Sequence, residues 1–291
     1  MFILKIQNTK GEIFELTRNS TNYSVVGVQG LTRPVTAVNT SAGGTVDGSF
    51  YNSSRVEQRN IVIDLVINGD IETNRQCLYQ IFPTKTKCTI YFENANRNVQ
   101  IDGYVETLTG DLFAMREQIQ ISIICPRPYF EDLETIYTEL SQIERKFEFP
   151  FAIEESDPIP FSEIVDYPLC TINNSGDVEC GFVMTVEIVS QASAPVTNLR
   201  IVNSTQQTYF GLNYTFLKGD KITINTISGQ MGVTLTRNGQ TTNLLNYVTA
   251  GSTWFRLSVG DNDFTYTATV MSQEIGAVRI IFATANLYGG V

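Results

Sequence analysis

The stretch Gln118–Ile123, QIQISI, decides the fold class of this chain, because apolar and polar residues alternate along it without a break. A period of two places the three isoleucines on one face of a strand and the polar residues on the other. The same alternation recurs at Ile61–Ile67 and Phe182–Ile188, so strands are predicted in both halves of the chain. Many short strands of this kind predict a mainly β, or all-β, protein built from sandwiches.

One segment has helical spacing instead. Asp70 or Thr73 can cap a helix that runs through Arg75 to about Phe82 and ends at Pro83. Its predicted core-facing stripe comprises Ile71, Leu78, Ile81 and Phe82. We expect this helix to be the only sizeable one.

The length of 291 residues exceeds what one β-sandwich needs, so two domains are predicted. Acidic residues and prolines cluster around the centre of the chain, the prolines being Pro126, Pro128, Pro150, Pro158, Pro160 and Pro168. Such a composition is typical of a stiff, charged connector. We therefore expect an N-terminal β-sandwich with one helix over residues 1–133, a connector over 134–166 and a C-terminal β-sandwich over 167–291.

Residues 43–59 form a Gly-, Ser- and Asn-rich excursion between hydrophobic strands. A polar segment of this length in a compact domain is usually disordered or a projecting arm. In an assembly, such an arm becomes ordered by lying on a neighbouring subunit. The residues predicted to form this arm are Gly43, Gly44, Asp47, Gly48, Tyr51 and Arg55.

The charge balance argues against nucleic-acid binding. The chain has 20 basic and 30 acidic residues, a formal net charge of -10, and so lacks the cationic surplus that phosphate backbones attract. An acidic protein could line a passage through which DNA slides, or its charge could simply keep it dispersed.

Histidine is absent from the chain, which removes the commonest general base and the commonest metal ligand. We therefore predict no enzyme, no metal site and no cofactor. A hydrolase acting through Glu154, Glu155 and Asp157 is a minor alternative. Asp261-Asn262-Asp263 is interpreted as an Asx turn, because the rest of a calcium loop is missing.

The five cysteines, Cys77, Cys88, Cys125, Cys170 and Cys180, show no Cys-x-x-Cys spacing. Their odd number argues against a disulfide framework and a zinc site. Cys170 and Cys180 could pair across a hairpin, but two buried thiols are the favoured interpretation. No signal peptide or membrane-spanning run is recognised, so we expect folding in a cytoplasm without membrane insertion.

Aromatic residues of the second half offer a different kind of site. Trp254, together with Tyr209, Tyr247 and Tyr214, could form a stacking platform for sugar rings or belong to the core. A glycan-binding or receptor-binding adhesin therefore stays open as an alternative function.

Several stretches, taken in order, resemble the distal tail protein family of long-tailed phages. They are Gly48–Tyr51, Arg59–Ile63, the helix with Arg75, Leu78, Tyr79 and Phe82, Ile123–Phe130 (IICPRPYF), Gly219–Asn225 (GDKITIN), Asn238-Gly239, Ser252–Asn262 and Tyr288–Val291 (YGGV). The resemblance extends over nearly the whole chain, and Ile123–Phe130 is its most characteristic part.

The resemblance implies a structural protein of the virion tail tip, or baseplate, of a siphophage. The N-terminal domains would join into a homohexameric ring, and the C-terminal domain would be a galectin-like or carbohydrate-module-like sandwich. Implied partners are the tail tube protein, the tape measure protein and tail-tip proteins, with a receptor-binding protein as a further candidate. DNA would pass through the ring without specific binding. Galectins bind galactosides with a set that includes histidine, so the resemblance by itself does not imply sugar binding here.

Overall fold

The computed structural model describes residues 2–17, 21–45, 47–111, 117–141, 143–145, 162–164, 169–189, 195–270 and 277–291, with only the backbone of 141, 143–145 and 162–164. The described residues fold mainly into β-strands, with one α-helix and one 3-10 helix, so the predicted fold class is confirmed. The chain divides into a first unit, Met1–Leu133 with Leu287–Val291, and a second unit, Glu134–Asn286.

The first unit begins with ten strands and the helix. In chain order these are β1 (Ile3–Gln7), β2 (Ile13–Glu15), β3 (Tyr23–Gln29), β4 (Thr36–Ala42), β5 (Ser49–Val56), β6 (Arg59–Ile67), α1 (Ile71–Ile81), β7 (Lys87–Glu93), β8 (Asn98–Gly110), β9 (Gln118–Cys125) and β10 (Phe130–Asp132). Seven of the strands follow the order β2-β1-β7-β8-β9-β6-β3 in one antiparallel sheet, and β10 pairs with the start of β8.

Strand β8 connects the two halves of this sheet, which are β2-β1-β7 and β9-β6-β3. Its first half pairs with β7 and its second half with β9, and the register shifts between Val105 and Thr107. A bulge bends a strand and increases its twist, so the two halves can enclose one core. The predicted isoleucines Ile119, Ile121 and Ile123 of β9 are all buried in that core.

Helix α1 begins at the predicted cap. The carboxylate of Asp70 accepts hydrogen bonds from the backbone N–H of Thr73 (3.3 Å) and from its hydroxyl (2.8 Å). Leu78, Ile81 and Phe82 are buried as predicted. Ile71 is partly exposed instead, because Asn74 takes the inward position of the first turn. The Asn74 amide donates a 2.7 Å hydrogen bond to the carbonyl oxygen of Asn68.

The second unit contains twelve strands and a 3-10 helix at Leu245–Tyr247. The strands are β11 (Ile136–Ser141), β12 (Ile143–Arg145), β13 (Ser162–Ile164), β14 (Cys170–Asn174), β15 (Val183–Ile188), β16 (Val196–Asn203), β17 (Thr208–Leu212), β18 (Lys221–Asn225), β19 (Gly232–Arg237), β20 (Gln240–Asn243), β21 (Gly260–Val270) and β22 (Val278–Thr284). They form a six-stranded sheet, β11-β22-β15-β18-β19-β20, a four-stranded sheet, β14-β21-β16-β17, and the pair β12-β13.

Aromatic rings from both larger sheets meet in the core of the second unit. Phe264 of β21 lies 5.0 Å from Phe282 of β22 and 5.7 Å from Phe182, measured between ring centroids. All three side chains are buried. These contacts make the unit a sandwich of two sheets around one apolar layer.

The predicted connector, residues 134–166, contains part of this sandwich. Strand β11 pairs with β22 from Ile136 to Ser141, Leu140 is buried, and Glu139 forms an ion pair with Arg279 (2.8 Å). The acidic residues obscured a short strand whose alternation is visible only from Ile136 to Leu140. Residues 142, 146–161 and 165–166 of this segment lie outside the described residues.

The last strand, β23 (Leu287–Tyr288), returns to the first unit. It pairs with β10, with Tyr288 opposite Phe130. The first unit is therefore built from two separate parts of the chain, whereas the predicted boundaries assign residues 287–291 to the C-terminal domain.

Candidate functional site

The predicted arm lies in a two-stranded ribbon, β4–β5, that pairs with no other strand among the described residues. Tyr51 and Arg55 lie on β5, and Gly43, Gly44, Asp47 and Gly48 lie at the turn that joins β5 to β4. Gly48 has a φ of 94°, a backbone conformation that favours glycine. The described residues of this segment therefore form a β-hairpin, and its role as an arm stays a prediction.

The hairpin exposes an apolar stripe. Its register places Val38 opposite Ser54, Thr40 opposite Tyr51 and Thr36 opposite Val56, so Val38, Tyr51 and Val56 share one face. Val38 is 57% exposed and Tyr51 is 65% exposed. Contiguous exposed apolar side chains of this kind mark interaction surfaces.

Polar contacts on the hairpin are local and weak. The hydroxyl groups of Tyr51 and Ser54 lie 2.8 Å apart, and the Asn39 amide donates to the Ser53 hydroxyl at 3.0 Å. The exposed ion pair between Arg55 and Glu57 contributes little. An isolated two-stranded hairpin is marginally stable at best in water, so a partner surface would stabilise this one.

Arg59 anchors the root of the hairpin. Its guanidinium is almost fully buried and donates hydrogen bonds to the carbonyl oxygens of Pro128 (2.7 Å), Thr32 (2.5 Å), Gly289 (2.7 Å) and Gly30. Burial lowers the pKa of this guanidinium, but arginine stays protonated in proteins. The carbonyls of Gly30 and Thr32 belong to the segment that enters β4, so their hydrogen bonds hold this segment against Arg59, which itself begins β6.

The role of Arg59 was missed in the sequence, although the residue falls within a family-like stretch. A signal was present, because Arg59 is a charged residue at the start of a buried apolar strand. The sequence could not reveal that its partners are carbonyl oxygens from three other parts of the chain.

The ring contacts of the predicted aromatic residues of the second unit fall into separate pairs. The Trp254 ring packs edge-on against Phe210 at 5.0 Å, and the Tyr209 ring lies under the guanidinium of Arg200 at 4.8 Å. Tyr247 instead contacts Tyr214 edge-on at 4.8 Å. Within the described residues no ring contact links Trp254, Tyr209 and Tyr247 directly.

The Tyr214–Tyr247 pair lies in an open cleft of about 420 Å³. Arg237 also lines this cleft, and its guanidinium makes a two-point ion pair with the buried carboxylate of Asp220, at 2.7 and 2.6 Å. The hydrogen bonds to Asp220 raise the pKa of Arg237. The cleft thus combines aromatic rings with a fixed, charge-balanced polar group.

The thiols and carboxylates carry no comparable site in the described part of the chain. All five cysteines are free thiols, as favoured, and burial raises the pKa of Cys88 and of Cys125 to about 12. No group of three or more His, Cys, Asp or Glu side chains there could hold a metal ion. The candidate carboxylates Glu154, Glu155 and Asp157 lie outside the described residues.

The Asn262 side chain stabilises the turn that precedes it, Ser258–Gly260. Its amide oxygen accepts from the Ser258 N–H at 3.0 Å, and its amide nitrogen donates to the carbonyl oxygens of Ser258 and Gly260. The neighbouring carboxylates of Asp261 and Asp263 accept hydrogen bonds from side chains of β14. Over the residues described, no helix is both long and apolar enough to cross a membrane.

Comparison with known proteins finds a family match within the second unit and a structural match over nearly the whole chain. Residues 175–283 match the model of a family described as a siphovirus-type tail component, C-terminal domain. The crystal structure of Dit (gp 19.1) of phage SPP1, described as a paradigm of the hub adsorption apparatus in phages infecting Gram-positive bacteria, aligns with a TM-score of 0.64. The alignment has 14% sequence identity and covers 98% of this chain and 99% of that one.

The resemblance to the distal tail protein family is confirmed. Residues 175–283 are similar to the C-terminal domain of this tail-component family, and the fold is similar to that of the SPP1 protein over nearly the whole length. Two phage P2 baseplate structures in the activated conformation, with Ca and with Sr, align with TM-scores of 0.49 and 0.47 at 13% and 12% identity. They cover 97% and 98% of this chain and 98% of each of those chains, but scores this low establish no shared fold. No curated protein matches the chain by sequence.

Proposed function

We propose that this chain is a structural subunit of a phage tail hub, in which copies of the chain close into a homohexameric ring. Its action is geometric: each copy offers one surface to the preceding neighbour and a different surface to the following one. Such head-to-tail interfaces close into a ring when the rotation between neighbours divides a full turn. The role requires no catalysis.

The β4–β5 hairpin is the observation that carries this proposal. It is anchored at its root by the four hydrogen bonds of Arg59, whereas Val38, Tyr51 and Val56 form an exposed stripe beyond that root. An arm anchored at its root, with an unburied apolar face, is suited to lie on a neighbouring copy. Burying that face would also stabilise a hairpin that is marginal alone.

A hub between the tail tube and the tail tip would contact other tail proteins as well. One axial face of the ring would contact the tail tube protein, and the other would contact the tape measure and tail-tip proteins, with a receptor-binding protein as a further partner. DNA would pass through the centre without specific binding. The net charge of -10 supports this part of the proposal, because an acidic surface repels the phosphate backbone. Assembly would occur in the host cytoplasm and place the protein in the tail tip of the virion.

Oligomer size tests the proposal. We expect the full chain to form a closed ring, visible by negative-stain imaging and by size-exclusion chromatography with light scattering. Deleting residues 43–54 should give folded monomers, because the arm loses its turn and most of β5. Val38→Glu should also dissociate the ring, because a charge would enter the buried stripe.

Asn39→Glu is the matched control for Val38→Glu. Both residues are exposed neighbours on β4, but their side chains point to opposite faces of the ribbon. The control should therefore keep the ring. A parental oligomer in both the deletion and Val38→Glu would refute the arm assignment, and a strictly monomeric full chain would refute the hub itself.

A further inference from the structure

The Tyr214–Tyr247 cleft is separate from the hairpin and plays no part in the proposed ring. It lies in the second unit, where β16, the loop from β17 to β18, β19 and the 3-10 helix meet. Its lining includes Thr197, Asn213, Tyr214, Arg237 and Tyr247. A volume of about 420 Å³ lies in the lower part of the range of small-molecule sites.

The aromatic part of the cleft is held in place before any ligand arrives. The carbonyl oxygen of Tyr247 accepts a 2.8 Å hydrogen bond from the N–H of Asn213, and the side-chain oxygen of Asn243 accepts one from the N–H of Leu245 (2.8 Å). Leu244 is fully buried at the start of this turn. The backbone that carries the exposed Tyr247 ring is therefore held in place by hydrogen bonds and by a buried neighbour. Binding would then cost little ordering entropy.

The polar part of the cleft is fixed as well. Asp220 accepts two hydrogen bonds from Arg237 through Nε and Nη2, and Nη2 also donates to the Thr215 carbonyl oxygen at 3.2 Å. No acceptor among the described residues bonds to Arg237 Nη1. The Asn213 amide and the Tyr214 and Tyr247 hydroxyls likewise make no side-chain hydrogen bond within the described structure, so several donors and acceptors face the cleft unpaired.

The charge of the cleft selects against an anion. The positive charge of Arg237 is neutralised at contact distance by Asp220, and the chain as a whole is strongly acidic. A phosphate or carboxylate would have to compete with Asp220 for the guanidinium. A ligand rich in hydroxyl groups, with an apolar ring face for Tyr247, fits these groups better.

We propose that this cleft binds a neutral sugar ring, with the pyranose face against Tyr247 and its hydroxyl groups bonded to Asn213 and Arg237 Nη1. The inference does not depend on the proposed homohexamer. A monomeric variant would bind the sugar equally well, and the homohexamer could form with the cleft blocked.

Saturation-transfer-difference NMR on the full chain tests the inference. The probes are glucose, galactose, rhamnose and N-acetylglucosamine at about 10 mM, which is roughly tenfold above a millimolar Kd. Glucuronate and glycerol 3-phosphate serve as anionic comparators. We expect saturation transfer to at least one neutral sugar and at least tenfold weaker binding of both anions.

Two variants locate the site. Tyr247→Ala removes an exposed ring and Asn213→Ala removes an exposed amide, so neither should disturb the fold. Each should weaken sugar binding at least fivefold. Tyr137→Ala, which removes an exposed tyrosine of β11 outside the cleft, should leave binding unchanged.

Three outcomes would overturn the inference. They are no binding of any neutral sugar, binding that survives both cleft variants, and binding lost on Trp254→Ala but kept in Tyr247→Ala. The second and third would place a sugar site elsewhere. The first would leave the cleft as a surface for another protein.

Discussion

The guanidinium of Arg59 donates a 2.7 Å hydrogen bond to the carbonyl oxygen of Gly289, which lies 230 residues further along the chain. The same guanidinium lies over the ring of Phe130, 4.5 Å from its centroid. One side chain thus joins the root of the hairpin, the start of β10 and the returning end of the chain. The first unit depends on this junction, because a buried arginine has no low-energy alternative if its acceptors move.

Replacing Arg59 with lysine should destabilise the first unit by about 2–4 kcal/mol. Lysine keeps the charge but has a compact ammonium that cannot reach four carbonyl oxygens at once, and unpaired buried acceptors cost about 1–3 kcal/mol each before relaxation. Urea unfolding followed by far-UV circular dichroism measures the loss. Arg55→Lys, an exposed arginine of β5, is the control and should change stability by less than about 0.5 kcal/mol. Equal stability of the two variants would contradict the anchoring role.

Much of the fold could be predicted from sequence because it follows local periodicity. The strand around Ile121 alternates strictly, those around Ile61 and Met184 keep apolar residues at every second position, and the cap of α1 is a local contact between Asp70 and Thr73. The return of Leu287–Tyr288 to β10 could not be predicted, because nothing in the sequence of a short strand specifies a partner so distant.

The candidate sites were predictable to different degrees. The arm was recognisable because its polar composition interrupts a hydrophobic pattern over a contiguous stretch. The aromatic cleft was predictable only in part. Sequence alone grouped Trp254 with Tyr209, Tyr214 and Tyr247, and the structure brings Tyr214 and Tyr247 into ring contact. The place of Arg237 beside them could not be predicted, because it depends on sheet pairing.

Two glycines of the hairpin should differ sharply on substitution by alanine. Both Gly30 at the root and Gly48 at the turn have positive φ, 83° and 94°. A Cβ on Gly30 would lie 2.0 Å from the carbonyl oxygen of Asn60, whereas one on Gly48 would meet nothing within 4 Å.

Gly48→Ala should therefore cost only the backbone strain, about 1 kcal/mol, and keep the oligomer. Gly30→Ala must also displace β6 backbone and should cost more than about 3 kcal/mol. Thermal unfolding of the two variants in parallel measures the difference. Similar melting temperatures would show that the root of the hairpin is not tightly packed.

Removing Leu287–Val291 should destabilise the first unit, although these residues follow the second unit in sequence. The deletion removes β23, the acceptor that Gly289 gives to Arg59, and the hydrogen bond from Val291 N to the Leu31 carbonyl oxygen at 3.1 Å. We expect a loss of several kcal/mol from the unpaired groups.

The single tryptophan, Trp254, belongs to the second unit, so its fluorescence reports the unfolding of that unit. Circular dichroism reports both units. The truncation should lower the denaturant midpoint of the part of the circular dichroism signal that the first unit contributes. The midpoint of the fluorescence transition should stay unchanged. A shift of the fluorescence transition alone would contradict this prediction.

Alkaline pH should destabilise the first unit through its buried thiols. Burial raises the pKa of Cys88 and Cys125 from 9.0 to about 12. Between those values the unfolded chain loses the thiol protons and the folded chain retains them, so stability is complete below about pH 9 and falls as the pH rises toward 12.

Cys125→Ala removes one of these groups and should flatten the decline. Urea midpoints measured from about pH 8 to about pH 11 give the slope directly. The same alkaline slope in the wild type and in Cys125→Ala would mean that another group of the first unit causes the decline, such as the Tyr23 hydroxyl, whose pKa burial also raises.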